Sequence, residues 1–272
     1  MKKYLSLALA LIIAVCSTAA LSSCGKTTYA DLAIVEIGQE KEYFGIAFRE
    51  GSDLTRKVED ITLDLIKAGK LDELSKKYGV GAVGEAEYTP KADACASSTD
   101  YADIKARGKL VVGITDYKPM DYKADDGSWI GFDADYAKLV GEKLGLTVEF
   151  KEIEWDNKET ELKAGSIDCI WNGMTITDSI EALADCTVPY MYNTQVAVVL
   201  KKNVEKYKDL ASLAGKNVAA EGGSAGESVI KENDKLVFKS VTAQSDALLE
   251  VMSGASEACV IDYTMARALI PE

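Results

Sequence analysis

Ser166 to Asp178 reads SIDCIWNGMTITD, and the fold is decided on how those residues are parsed. Ile167 to Trp171 is a short apolar run with the length and β-branched character of a buried strand. Asn172-Gly173 interrupts it. Thr175, Thr177, Asp178 and Ser179 then supply N-cap side chains just ahead of a helical pattern from Ile180 to Leu183. A strand that runs through Asn-Gly into a helix start brings backbone amides and hydroxyls to the carboxyl edge of a sheet. Open α/β sheets bind ligands at that edge. Taken alone, the stretch is equally an ordinary β-turn-α connection, and the flanking sequence separates the two.

Upstream, Lys109 to Gly113 is a strand, Asp116 to Asp126 a loop, and Phe132 to Leu144 a helix with apolar residues at 132, 136, 139, 140 and 144. Thr147 to Ile153 is a strand and Asp156 to Ala164 a helix. Downstream, Val188 to Leu200 is long and extended. The rhythm then repeats as helix 204–213, strand Asn217 to Ala220, a helix from Ser224, and strand Leu236 to Val241. Helix 243–252, strand Ala258 to Ile261 and a helix from Thr264 follow. Strands alternating with helices predict a parallel α/β architecture. Two such rounds about one extended run predict two lobes with a hinge near Tyr192 to Gln195.

The earlier chain has a different texture. Thr27 to Ile37 is a strand, and Glu42 to Leu54 a second β run closed by a Gly-Ser-Asp helix start. Leu54, Val58, Ile61 and Leu65 fall at helical spacing, and Gly69 stops that helix. Leu71, Leu74 and Tyr78 continue as a short helix ending at Gly79. From Gly79 to about Thr99 the pattern dissolves into Gly, Ala, Ser, Pro90 and scattered charge, the composition of a linker.

The 272 residues suffice for one large domain or two ordinary ones. Lys2 and Lys3 precede an apolar run from about Leu5 to Val15, too short to span a bilayer and shaped like a secretory signal. Leu21-Ser22-Ser23-Cys24 resembles the bacterial lipoprotein cleavage box, which implies residues 1–23 as the signal peptide and Cys24 as the lipidated residue. The chain is thus expected to be exported and anchored by lipid to the outer face of the cytoplasmic membrane. Removing residues 1–23 takes the formal charge from −13 to −15, because two lysines and no acids are lost. An exported protein this acidic is a poor nucleic-acid binder. The chain has no His, which excludes Ser-His-Asp and Cys-His catalysis and His-ligated metals. No metal and no cofactor are expected. Cys169 and Cys259 lie in apolar strand runs as buried thiols. A bridge from Cys169 to Cys186 is the alternative in an oxidising compartment.

KLVVGITDYKPM (109–120), GFDADYAKLVGEKLG (131–145), the opening stretch, GKNVAAEGGSAGES (215–228) and EYFGIAFREGSDLTRKV (42–58) resemble the solute-binding lipoproteins of bacterial amino-acid ABC transporters. The resemblance implies a type II periplasmic-binding-protein-like α/β fold, with two lobes and a hinge. It also implies a job: capture of an amino acid or similar small polar solute for a membrane permease, by a monomer that is not an enzyme. The order of segments is unusual. In the family the YFGIAF segment and its helices come last; here they come first. The chain therefore resembles a circular permutant, with 40–78 plus 104–193 as lobe one, 28–39 plus 195–272 as lobe two, and 79–103 joining the ancestral termini. A fusion of two incomplete copies is the competing explanation of that order.

By the resemblance, Tyr117 and Trp155 are the aromatics that stack on a ligand from lobe one, and packing at the rim is their plainer reading. Asn172, Gly173 and Thr175 match the platform for the α-amino group and carboxylate. In lobe two, Ser224 and Ala225 open a helix after Gly223, and their amides with the helix dipole favour a carboxylate by roughly 0.3–2 kcal/mol. Asp262 matches the acid that pairs with an α-ammonium. One position departs from the family: its Thr-x-Thr-x-x-Arg pattern has Ile180 where the arginine would grip the carboxylate. Either Thr175, Thr177 and the lobe-two amides carry that group, or the solute has none. Glu221, Asp262 and Asp116 beside Tyr117, Trp155 and Trp171 suit a cationic solute such as a polyamine, a betaine or a basic amino acid. A sensor lipoprotein that delivers no cargo, and a dehydratase using Glu221 or Asp262, are the remaining alternatives.

Overall fold

The structure is a computed structural model that describes residues 27–84, 87–90 and 98–271. The expectations for residues 1–23 and Cys24 lie outside the described residues. In the first part, β1 (Leu32–Glu36) and β2 (Glu42–Arg49) lead into α1 (Leu54–Lys67) and α2 (Lys70–Tyr78). Leu54, Val58, Thr62 and Leu65 form the buried stripe of α1, and Gly69 and Gly79, both left-handed, stop the two helices as their spacing predicts. After α3 (Asp100–Arg107) come β3 (Lys109–Ile114), a small hairpin of β4 (Tyr122–Lys123) and β5 (Trp129–Ile130), and α4 (Phe132–Leu144). Next are β6 (Thr147–Glu152), α5 (Lys158–Lys163), β7 (Cys169–Thr175), α6 (Asp178–Glu181), β8 (Ala184–Cys186) and β9 (Met191–Asn193). The last third runs β10 (Gln195–Leu200), β11 (Asn217–Glu221), α7 (Ala225–Lys231), β12 (Val237–Val241), α8 (Gln244–Ser253), β13 (Ala258–Asp262) and α9 (Tyr263–Leu269).

Among the described residues these strands make two large sheets. One has the order β6-β3-β7-β2-β8, with β9 also pairing β2. The other has the order β1-β10-β13-β11-β12. In the first, β3 is parallel to β6 and β7, while β2 inserts antiparallel with Phe44 opposite Thr175 and Phe48 opposite Cys169. In the second, β11 is parallel to β12 and β13, and β1 closes one edge antiparallel to β10. Each of the two early strands has thus joined a different sheet. Strand β7 is buried over almost its whole length, which is why its alternation is invisible in sequence. Cys169 and Trp171 face one core, Ile170 and Met174 the other.

Three local expectations change. Residues 204–213 do not form an α-helix; 3-10 turns at Lys201–Asn203 and Ala211–Leu213 take its place. Asp209 and Ser212 explain the break. The Ser212 amide donates to Asp209 Oδ1 at 2.8 Å, and the Lys208 amide donates to Ser212 Oγ at 3.1 Å. Such short-range bonds offer the backbone an alternative to the helix ladder. Second, the described part of the stretch with linker composition is packed. Ala82 bridges to Met191, the Val83 amide donates to Tyr190 O at 2.8 Å, and Val83 and Tyr88 are buried. Third, Cys169, Cys186 and Cys259 are buried thiols, and no bridge joins Cys169 to Cys186.

Two stretches of chain cross between the sheets, residues 37–41 and 193–195. Thr194 pins them together, its hydroxyl lying 3.2 Å from Gln39 O. Around this crossing Glu42, Asn193, Gln195 and Asp262 form a buried polar knot. Asn193 Nδ2 donates to both carboxylates, and Gln195 Nε2 donates to Glu42 Oε1 at 2.7 Å and to Asp262 Oδ1 at 2.6 Å. Two acids sharing two amide donors in a dry place resist carrying two negative charges. Burial and the neighbouring Asp262 push the Glu42 carboxyl from 4.5 up to about 8.

The folded chain therefore keeps a proton on Glu42 at pH values where the unfolded chain has released it. Between an ordinary value of 4.5 and about 8, stability falls as pH rises. Glu42→Gln, which keeps the neutral shape, should leave the melting temperature nearly unchanged near pH 5 and raise it near pH 8, reducing the decline between them. An equal shift at both pH values would contradict the role given to this carboxyl.

Candidate functional site

The carboxyl ends of the parallel strands in the two sheets face one another, and a cavity of about 170 Å³ lies between them. That is smaller than the roughly 300–1,000 Å³ of drug-sized sites and suits a small metabolite. From the first sheet the lining comes from the segments after β3 (Tyr117), β6 (Trp155) and β7 (Asn172, Gly173, Thr175, Thr177). From the second it comes from the ends of β11 (Glu221) and β13 (Asp262) and from Ser224 and Ala225 at the start of α7. The geometry thus brings together all ten residues singled out from the sequence. Asp116 and Trp171, offered as company for a cation, are not among the lining. Asp116 is exposed, and Trp171 is fully buried against Tyr136, ring centroids 4.7 Å apart.

Gly173 is required where it stands. Its φ is +55°, and a Cβ there would meet Tyr117 Cε1 at 2.6 Å. The Tyr117 ring thus lies directly on the β7 backbone. The expectation of free amides here is corrected, because the Gly173 amide turns inward and donates to Asp133 Oδ2 at 2.6 Å. The Asn172 side chain is committed as well. Its Oδ1 accepts from the Thr115 amide at 3.0 Å, and its Nδ2 donates to Asp121 Oδ2 at 2.7 Å. Asn172 therefore fixes the loop that presents Tyr117. Asp121 and Asp133 are fully buried beneath this ledge, and burial raises both, Asp133 to about 7. Thr177 caps α6 by accepting from the Ile180 amide at 3.3 Å. Ile180 itself lines the cavity, in the apolar cluster that also holds Trp155.

On the facing wall the start of α7 is largely self-satisfied. The Gly223 amide donates to Glu227 Oε2 at 2.5 Å, and the Glu227 amide donates to Ser224 Oγ at 3.2 Å. The helix has only seven residues. The support expected from it for a carboxylate is correspondingly thin. Asp262 accepts from Asn193, Gln195 and Gln244, so most of its acceptor capacity is used. Glu221 differs. It is 3% exposed, and its Oε1 has no hydrogen-bond partner. Burial first and Asp262 second raise its carboxyl well above the usual range. The Tyr117 hydroxyl is buried close to the Asp262 carboxyl, and Glu221 Oε1 is the open acceptor of this corner.

Lys158, Asp156, Glu159 and Gln244 also line the cavity, though none of them stands out in the sequence. Lys158 follows Trp155 by one helical turn, and that spacing was the available signal. Its ammonium reaches across the cleft to Gly223 O at 2.9 Å and sits 5.0 Å from the centre of the Trp155 ring. At the same crossing Gly223 has φ +73°, and a Cβ on it would lie 2.8 Å from Asp156 Cα. The two lobes are therefore shut against each other at this edge.

The pattern that describes the bacterial extracellular solute-binding proteins, family 3, matches residues 110–269. The L-cystine-binding protein TcyJ of Escherichia coli K12 is 31% identical over 131 residues, 48% of this chain and 49% of that protein, so the chain spans about half the length of that relative. The arginine-binding extracellular protein ArtP of Bacillus subtilis is 31% identical over 177 residues, 64% of this chain and 68% of ArtP. Among solved structures, the holo form of ArgBP from T. maritima superposes with a TM-score of 0.59 at 33% identity, covering 61% of this chain and 74% of that one. An ancestral amino-acid-binding protein, a precursor of cyclohexadienyl dehydratase, gives 0.58 at 36% identity, covering 61% and 74%. The two-lobed α/β fold, the cleft between the sheets and these matches agree: the chain belongs to the bacterial extracellular solute-binding proteins, family 3.

Proposed function

We propose that this chain is the extracytoplasmic receptor of an ABC importer and closes over an amino acid or closely related solute. The observation that carries the reading is the cavity itself, lined from both lobes at the carboxyl ends of parallel strands. Arginine-bound relatives on the same fold support an amino acid, and the acid excess of the lining supports one with net positive charge. Asp156, Glu159, Glu221 and Asp262 stand there against Lys158. Tyr117 and Trp155 offer flat apolar walls, and Glu221 and Asp262 take the ammonium. Micromolar affinity needs only about −8 kcal/mol, within reach of such a set. Bending at residues 37–41 and 193–195 opens and shuts the cleft, and a permease receives the released solute. Lipid on Cys24 would hold the receptor at the membrane.

The circular permutation is part of the same proposal. It is supported by strand β2, which lies between β7 and β8 in the sheet built mainly by later residues. The segment 79–103 would then span the ancestral ends. Proteolytic cleavage within 79–103 should leave residues 28–78 bound to the remainder without denaturant. Release of 28–78 would overturn the permutation.

Calorimetry and thermal shift against L-arginine, L-histidine, L-cystine, putrescine and glycine betaine test the receptor reading. At least one amino acid should raise the melting temperature and bind unchanged, with no turnover; failure of the whole set, or turnover of a ligand, would contradict it. Gly223→Ala should weaken that ligand at least about tenfold, because a Cβ at positive φ adds strain and meets the Asp156 backbone only when the lobes shut. Wild-type affinity in this variant would contradict the closed geometry.

A further inference from the structure

Lys158 is the one basic residue among the described residues that line the cavity. A lysine with 7% of its side chain exposed is unusual unless a carboxylate compensates it. Here the compensation is incomplete. Of its three N–H donors, one goes to Gly223 O at 2.9 Å and a second points at Trp155 O at the long distance of 3.4 Å. Its ion pair is a long one, to Glu159 Oε1 at 3.6 Å, on a partly exposed neighbour along the same helix. A buried cation with donor capacity to spare therefore faces the cavity from one lobe.

The other lobe faces it with two buried carboxyls. Glu221 is buried with an unpartnered Oε1, and Asp262 stands beside it. Several other groups that could hold a carboxylate are spent. The Gly173 and Gly223 amides are bonded to Asp133 and Glu227, Gln244 is bonded to Asp262, and Ile180 is apolar. A cavity with spare cation donors on one wall and a buried carboxyl with an unpartnered oxygen on the other is complementary to a zwitterion, whose ammonium favours the ionised form of that carboxyl.

We infer that Lys158 is the residue that grips the solute's carboxylate, opposite Glu221, so that the site selects α-amino acids over the amines that lack a carboxylate. This rests on the receptor reading above and gives its site a polarity: carboxylate toward α5, ammonium toward β11. The same ammonium latches onto Gly223 O, so a carboxylate arriving at Lys158 also steadies the shut cleft. Solute recognition and closure meet in one side chain.

The test measures binding of L-arginine and agmatine, and of L-histidine and histamine, to the full-length protein and to its Lys158→Met and Lys158→Arg variants. Unliganded melting temperatures report folding. The wild type should favour the amino acid of the pair it accepts. Lys158→Met should weaken that amino acid by about 30-fold, the scale of a lost charge-assisted contact, and change its decarboxylated partner by less than about threefold. Lys158→Arg should retain most of the preference and serves as the informative variant if the Met form folds poorly. Equal weakening of both members of a pair would overturn the inference and leave Lys158 a latch alone. A wild type that binds the amine as tightly as the amino acid would overturn it too. No binding of any probe by the wild type would instead count against the receptor reading for these solutes, and with it the inference.

Discussion

The antiparallel pairing of β2 with β7 is the constraint on which the rest depends. It joins residues more than a hundred positions apart, Phe44 to Thr175 and Phe48 to Cys169, and sets the ledge of the cleft at the end of β7. Phe44, Ile46 and Phe48 are fully buried there. At about 1.5–3 kcal/mol for each large apolar side chain taken from water, the three supply the drive that holds an early segment in a sheet made mostly of later ones. Without β2, β7 would be an exposed edge with its amides and carbonyls unpaired. Its Gly173 could not then be held under the Tyr117 ring.

From that pairing the geometry of the cleft follows. Strand β2 begins at Glu42, inside the polar knot that also holds Asn193, Gln195 and Asp262. The strand that completes one lobe therefore starts at the crossing between lobes and touches the acid at the far wall. The knot, the crossing between the lobes and the position of Asp262 are thus linked through shared hydrogen bonds. Across the cleft Lys158 reaches Gly223 O, and Asp156 lies beside the bare Gly223 backbone.

Much of this was legible in the sequence, for identifiable reasons. The helices at 54–67 and 132–144 announce themselves by apolar spacing and a following glycine, and left-handed Gly69 and Gly145 confirm the stops. Tyr117, Trp155 and Asp262 are implied by the resemblance to the family, and parallel alternation places such strand ends, with Glu221, along one edge. Residues 204–213 could not be read by period, since Val204, Tyr207 and Leu210 fit a helix while Asp209 and Ser212 undo it through local bonds. Nor could the inward turn of the Gly173 amide, which depends on a buried Asp133 forty residues earlier. Lys158 was the largest omission. In Lys-Glu-Thr-Glu-Leu-Lys it looks like solvated helix surface, yet it is buried with its ammonium on the other lobe's Gly223 O.

The most direct test of the central claim, that both lobes hold one solute between them, is hydrogen–deuterium exchange with and without a bound amino acid. The account predicts slower exchange in residues 155–158 and 172–177 of one lobe and in 221–225 of the other, all at the same solute concentration. Protection confined to a single lobe, or appearing away from the cleft, would contradict it.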